Sequence, residues 1–397
     1  MRGVNLLIIN LMLGFTGFAQ SKAGKPDFIL LNQQVLQNVS KKYHDGDAVT
    51  VKQVTVLLNE ADSLLKVEPY SVTFHKTKLA PSGNKHDYVS QAPYWWADST
   101  KADGKPYIRK DGRRNPEIYL LHDDSQLTKM CADVNRLALA YYLSGKESYV
   151  QKAASLLKVW FIDTATRMNP NLNYAQYIPG INDGRGIGII ETRSLTKIPD
   201  AIELMQNSKY LESTLISGIK KWYAQYADWI LNSKNGKSER IQTNNHGTNY
   251  DMQLADFAIF TGNGTLATMV INEFTIPRID QQFTTDGMQP LELVRTRSWD
   301  YSTMNLAAWT KLAVIADKLN IDLWHNQTLD GKGIKGAIAW LMPFALQQKK
   351  WTYPEIGKFE YENFQQIVLA AKDKYPDVPF PVFYQKFPVE NELLLLE

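Results

Sequence analysis

Apolar residues return every three or four positions along most of the chain, and this period restricts the fold more than any other feature. The clearest run is Leu211 to Leu231, where Leu211, Leu215, Ile219, Trp222, Tyr226, Trp229 and Ile230 share one helical face. Comparable runs span Leu30 to Val39, Val49 to Leu65, Gln126 to Leu143, Tyr149 to Trp160, Thr196 to Met205, Tyr250 to Phe260, Leu266 to Phe274, Tyr301 to Leu319 and Lys335 to Leu346. No run of alternating apolar and polar residues competes with them. Only Ser144 to Glu147 separates two of these runs, which predicts an antiparallel helix hairpin. Paired helices joined by long polar loops predict an all-α fold, an incomplete (α/α) toroid of about six to seven antiparallel hairpins.

The first twenty residues stand apart from that pattern. Arg2 precedes an apolar stretch from Val4 to Phe18, and Gly17 and Ala19 supply the small residues of a cleavage site. This predicts a cleaved secretory signal over residues 1–20 and a periplasmic or secreted protein. The stretch is shorter than the roughly 20 residues that span a bilayer. Residues 21–397 then form a single toroid domain, expected to act as a monomer. The one cysteine, Cys131, lies at helical spacing among Leu127, Met130 and Val134, which predicts a buried thiol. A net charge of +3 gives no argument for nucleic acid or a membrane as partner. His122 has no second histidine at ligand spacing, so neither a metal nor another cofactor is expected. Ten Trp and twenty Tyr suit rings stacked on sugar faces, although helical cores also use them.

The segment Lys66 to Asn115 is long for a loop, and such loops are functional or disordered. Tyr88, Tyr94, Trp95, Trp96 and Tyr107 argue for order. Two readings are compatible: a flap packed on the toroid, and a lid over a cleft with Lys76, Lys78 and Lys85 facing an anion.

Three further segments concentrate polar residues ahead of helical runs, which places them on loops at one end of the toroid. One runs from Asn169 through Gln176, Arg185 and Glu191 to Arg193. A second is Thr243-Asn-Asn-His-Gly-Thr-Asn-Tyr250. The third holds Asp286-Gly287, Glu292, Arg295, Arg297, Asp300 and Tyr301. His246 sits between amides and a glycine, outside any apolar stripe, which marks it as functional. Asn244 or Asn245 also fits a helix N-cap. Rival readings are a toroid glycoside hydrolase with Glu191 and Asp286 as paired acids, and a non-catalytic sugar-binding protein. Asp286-Gly287 also fits a plain turn.

The runs Ser82-Gly-Asn-Lys-His-Asp-Tyr, Pro93-Tyr-Trp-Trp, Asn244-Asn-His-Gly and Arg295-Thr-Arg-Ser-Trp-Asp-Tyr-Ser together resemble the alginate lyase superfamily. Within it the chain looks most like polysaccharide lyase families 38 and 5, and the resemblance extends from about Asp62 to Trp324. It implies a helical toroid, an anionic polyuronate substrate, and an Asn-His pair followed by an Arg and a Tyr. These fall on Asn245, His246, Arg295 and Tyr301, with Arg297 as the competing arginine. Asn244, Tyr250, Gln176, Arg185, Arg193, Arg297, Trp95, Trp96, Lys85 and His86 are candidates for substrate contact.

The chemistry of β-elimination asks for these residue types. Removing H5 of a uronate builds charge beside its carboxylate, which must be neutralised by donors such as Arg295, Asn245 and His246. A tyrosine has a reference pKa near about 10 and needs cations to become a base, here Arg295 and a protonated His246. Tyr301 would then take H5 and return a proton to O4. These two atoms share a ring face in mannuronate and glucuronate but not in guluronate. The expectation is therefore a lyase for the polymannuronate of alginate, with glucuronan as the alternative.

Overall fold

The computed structural model describes residues 26–389 together with 391, 393 and 396. The segment read as a secretory signal lies outside the described residues.

The expected all-α body is present. Each predicted helical run is a helix: α1 (Gln33–His44), α2 (Ala48–Leu64), α3 (Asp123–Ser144), α4 (Glu147–Phe161), α5 (Lys197–Leu204), α6 (Ser213–Asn232), α7 (Lys234–Arg240), α8 (Asn245–Phe260), α9 (Gly264–Met269), α10 (Ile276–Gln282), α11 (Pro290–Leu293), α12 (Ser298–Lys318), α13 (Ile334–Ala345), α14 (Glu362–Ala371) and α15 (Phe380–Lys386). The pattern did not foretell α7, α11, α14 and α15. A π-helical turn, Val270–Thr275, joins α9 to α10, so the run expected to stop at Phe274 continues.

The ends follow cap chemistry. Asn32 and Asp47 accept from Val35 and Thr50 N–H at the starts of α1 and α2. Gly145, with φ of 70°, ends α3 and turns the chain into α4 as the predicted hairpin. The toroid stays open, in line with the expected incomplete form. Its inner wall comes from α3, a 3-10 segment Gly186–Thr196 leading into α5, then α8 and α12, which pack on one another in that order, with α14 against α12.

Helix α8 is buried on nearly every side although half its residues are polar. Several of those groups are satisfied internally. Gln253 donates to Ile189 O at 3.2 Å, Thr248 to Gln282 at 2.9 Å, and Arg278 to Asp251 at 2.6 Å. Most of the aromatic wealth is core: Trp160, Trp299, Trp309, Trp324, Tyr223 and Tyr226 are fully buried. Cys131 is buried as expected, and burial pushes its thiol up to about 12.

The segment 66–115 is ordered and carries short strands, β1 (Val89–Gln91), β2 (Trp95–Trp96) and β3 (Ile108–Arg109). Strand β1 pairs in parallel with β4 (Tyr174–Tyr177), and β2 pairs with β3. Its aromatic and polar groups tie it to the toroid: Tyr70 donates to Asp133 at 2.6 Å, and the Val89 N–H to Asp123 at 2.8 Å. Lys76 does not face an anion in solvent. It is buried in an ion pair with Asp123.

Candidate active site

The N-terminus of α8 builds one half of the site. Asn244 is the cap residue, its side chain accepting from the His246 N–H at 3.1 Å. The open choice between the two asparagines is thereby resolved, and Asn245 lies inside the first turn. The segment Thr243 to Tyr250 was expected on a loop, yet from Asn245 onward it is helix. Asn245 is fully buried, and its backbone N–H and Nδ2 donate to the two oxygens of Glu292 at 2.6 and 2.8 Å. His246 is partly exposed, with Nδ1 2.8 Å from Glu239 Oε1.

Two glycines permit this arrangement. A Cβ on Gly247 would fall 2.0 Å from Gln242 O and 2.3 Å from Arg278 Nη1. One on Gly186 would fall 2.4 Å from Asn235 O. Only glycine lets the 3-10 segment lie against α7, the helix that carries Glu239.

The other half comes from α11 and the start of α12. The backbone oxygen of Glu292 accepts the Arg295 N–H at 3.1 Å. One glutamate therefore fixes both Asn245 and the turn that carries Arg295. The Arg295 guanidinium lies 3.7 Å over the ring of Tyr301. Its Nε and Nη2 donate to Asp111 at 3.1 and 2.8 Å. The Tyr301 hydroxyl is 2.8 Å from that of Tyr94, on the 66–115 segment.

The electrostatics depart from expectation in two respects. Burial, reinforced by Tyr94, holds the Tyr301 hydroxyl above the ordinary tyrosine value, and the pull of Arg295 does not prevail. Asp111 also takes two N–H groups of Arg295, which were expected to meet a substrate carboxylate. Burial pushes the Asp111 carboxyl up, but hydrogen bonds and charge from Arg295 outweigh it and bring it to about 2. Burial holds Glu292 above the usual carboxylate range against the bonds from Asn245.

A third cluster lies beside these. Tyr88 and Ser90 donate to Glu191 Oε2 at 2.8 and 2.6 Å, and Arg185 donates to Gln176 Oε1 at 2.8 Å. Burial, then the charge of Asp124, pushes Glu191 up to about 8. Burial draws Arg185 down to about 10 against the charges of Glu191 and Glu239. Arg185 Nε, Glu239 Oε2 and Asn245 Oδ1 have no hydrogen-bond partner. Such atoms are costly in a core and ordinary in a ligand site. Among the described residues, no group of three or more His, Cys, Asp or Glu side chains is placed to hold a metal.

Comparison with known proteins decides which fold family this is. The alginate lyase family model matches residues 71–351. The chain belongs to the alginate lyase family. A solved alginate lyase from Bacteroides ovatus is 39% identical, with a TM-score of 0.88 covering 94% of this chain and 99% of that one. A variant of alginate lyase A1-III complexed with a tetrasaccharide is 15% identical, with a TM-score of 0.51 over 79% of this chain and 76% of that one, a likeness of fold. Alginate lyase A1-III from Sphingomonas species A1 is 15% identical with a TM-score of 0.48, covering 82% and 88% of the two chains. No curated protein sequence matches this chain. Family and fold support polysaccharide lyase activity on a polysaccharide substrate.

Against this family background the other candidate residues divide. Arg185 donates to Gln176 and feels the charge of Glu239, the partner of His246. Tyr250 does not reach the site: it is fully buried on the back of α8, donating to Ile230 O at 3.2 Å. Arg297 is ion-paired with Asp300 and bridges to Glu355, so it turns away while Arg295 covers Tyr301. Trp96 donates to Arg113 O at 2.9 Å with Lys110 over its ring, and Trp95 pairs with Arg109. Lys85 is exposed and His86 contacts Arg167 O at 2.7 Å; neither touches the catalytic candidates. Arg193 donates to Ile190 O and stays exposed. Asp286 sits in an exposed turn with Thr284, and no contact joins it to Glu191, so the paired-acid hydrolase reading loses its pair. Glu239 and Asp111 were missed. Each reads in sequence as one member of a solvated charge run.

Proposed function

We propose that this lyase cleaves 1,4-linked uronate polymers by β-elimination, with the polymannuronate of alginate as preferred substrate. The observation that carries this reading is the position of the Tyr301 hydroxyl. It lies under Arg295 and against Tyr94, while Glu292 ties the Arg295 turn to the Asn245-His246 end of α8.

In the reaction, Tyr301 as tyrosinate takes H5, electrons flow into a C4–C5 double bond, and the C4–O4 bond breaks. The same phenol returns the proton to the departing O4. Arg295, held by Asp111, serves Tyr301 rather than the substrate carboxylate. Neutralising that carboxylate falls to His246, oriented by Glu239, and to Asn245. A protonated Glu292 would donate to Asn245 Oδ1 and turn its Nδ2 toward the substrate, since amide orientation follows its partners. A single tyrosine in both proton transfers restricts catalysis to sugars whose H5 and O4 share a face. We further propose that the chain works outside the cytoplasm after loss of residues 1–20.

The test follows ultraviolet absorbance of the unsaturated product on polymannuronate, polyguluronate, glucuronan and hyaluronan. Fastest release is expected from polymannuronate, and Tyr301→Phe should abolish turnover with the fold retained. Polyguluronate as best substrate, or near-normal turnover by Tyr301→Phe, would sink the mechanism. Absence of unsaturated product on every polyuronate would sink the activity.

A further inference from the structure

The paired strands β1 and β4 serve two places at once. Ser90 Oγ donates to Glu191, and Gln176 Oε1 accepts from Arg185, in the cluster beside the candidate active site. The next residues along, Gln91 and Tyr177, line a different space, a cavity of about 750 Å³. That volume lies within the range of about 300–1,000 Å³ that small-molecule sites occupy. Its walls come from the 66–115 segment, the 3-10 turn Pro116–Leu120 and the loop that follows β4. Asn245, His246, Arg295 and Tyr301 are not part of them.

Hydrogen bonds between its walls fix the cavity. Tyr177 donates from its hydroxyl to Gln91 Oε1 at 3.1 Å, and Gln91 Nε2 donates to Glu117 Oε2 at 3.0 Å. The Tyr107 hydroxyl donates to the same Glu117 oxygen at 2.8 Å, and its backbone N–H donates to Pro179 O at 3.1 Å. Gly180, with φ of 79°, makes the last approach possible, since a Cβ there would fall 2.9 Å from Pro106 Cα.

The lining has the chemistry of an acidic sugar site. Lys78 Nζ stands 3.6 Å over the Tyr177 ring, a contact that spends none of its three N–H donors. Lys105 borders the same cavity. Neither ammonium has a hydrogen bond or an ion pair among the described residues. Of the two acids present, Glu117 already accepts two protein donors and Asp183 is exposed. Leu120 and Ile181 add exposed apolar surface, which with the tyrosine ring suits the apolar face of a pyranose. The amide of Asn182 is at hand for a hydroxyl.

We propose that this cavity is an accessory site for a uronate sugar, its carboxylate taken by Lys78 and Lys105 and its ring laid against Tyr177. The inference rests on the lyase reading above for the identity of the polymer, and gives the chain a second hold on it away from the bond cleaved. Charge-assisted bonds to the carboxylate select an acidic sugar over a neutral one. A polymer bound there stays near the catalytic residues between cleavages, and a short oligomer gains nothing.

Two measurements test it. In the first, Tyr301→Phe, which should not consume the ligand, is acetylated with and without a mannuronate tetramer, and modified lysines are mapped by mass spectrometry. Lys78 and Lys105 should be modified alone and protected by the tetramer, with exposed Lys129 and Lys221 unaffected and a neutral mannose tetramer giving no protection. Equal modification of Lys78 and Lys105 in all arms, or equal protection by the neutral tetramer, overturns the site. In the second, kinetics on polymannuronate and on its trimer are compared for wild type and Lys78→Met/Lys105→Met. KM for the polymer should rise on the order of tenfold, with kcat held and a smaller change on the trimer. The same change at both lengths, or none at either, overturns the accessory role. If wild type releases no unsaturated product from any polyuronate, the lyase reading fails instead, and the labelling result distinguishes the two failures.

Discussion

Replacing Asp111 by asparagine probes the contact between the 66–115 segment and the Arg295–Tyr301 pair. The wild-type carboxylate receives Arg295 through two bonds at 3.1 and 2.8 Å, Arg109 at 2.6 Å and Thr296 Oγ1 at 3.2 Å. Its pKa falls from 3.8 to about 2 on folding. At about 1.4 kcal/mol per unit, that difference is worth roughly 2 kcal/mol of stability. A depressed acid contributes stability that is present above the unfolded value and lost as pH falls through the folded one. The deficit of Asp111→Asn against wild type in urea melts should therefore be constant from pH 7 to about pH 5 and narrow below pH 4. Activity should respond in the opposite sense along the pH axis. The Asp111 charge raises the Tyr301 hydroxyl and Arg295 lowers it. Removing the carboxylate leaves the guanidinium uncompensated above the ring, so the alkaline rise of kcat/KM should move to lower pH. An equal stability at pH 7, or an alkaline limb that stays in place, would refute the assignment of Arg295 to the tyrosine.

Glu239→Gln keeps the shape but removes the charge that orients His246 from 2.8 Å; a hydrogen bond to a charged group is worth about 1.5–3 kcal/mol, so kcat/KM should fall roughly ten- to hundredfold with an unchanged circular dichroism spectrum. Glu191→Gln should stabilise the chain at alkaline pH. Burial and the charge of Asp124 raise the Glu191 carboxyl from 4.5 to about 8, so folded wild type loses stability as pH climbs between those values. Thermal melts at pH 5 and pH 9 should show the variant gaining only at the higher pH. Tyr94→Phe removes the hydroxyl that meets Tyr301 at 2.8 Å and adds to its upward shift, so its pH–rate profile should also move, and an unmoved profile would show the contact to be idle.

The helices were legible because burial of one face leaves a period in the sequence, as in α6. The start of α8 was not. Asn245, Thr248 and Asn249 read as loop by polarity, yet they are buried, because Glu292 and Gln282 meet the first two and Asn249 bonds back to Asn245 O. Those partners arrive from elsewhere in the chain, and no local pattern announces them. Tyr250 failed for the complementary reason. It belongs by sequence to the polar run, but helical phase points its ring at α6.

Residue type was therefore the legible part of the candidate site, and counter-ion geometry was the hidden part. Arg295 and Arg297 are indistinguishable as cations two positions apart. What separates them is that Asp111 lies 184 residues from Arg295, whereas Asp300 is three residues from Arg297. A local acid folds its arginine back onto its own helix turn. A distant acid holds its arginine across two segments and over the Tyr301 ring.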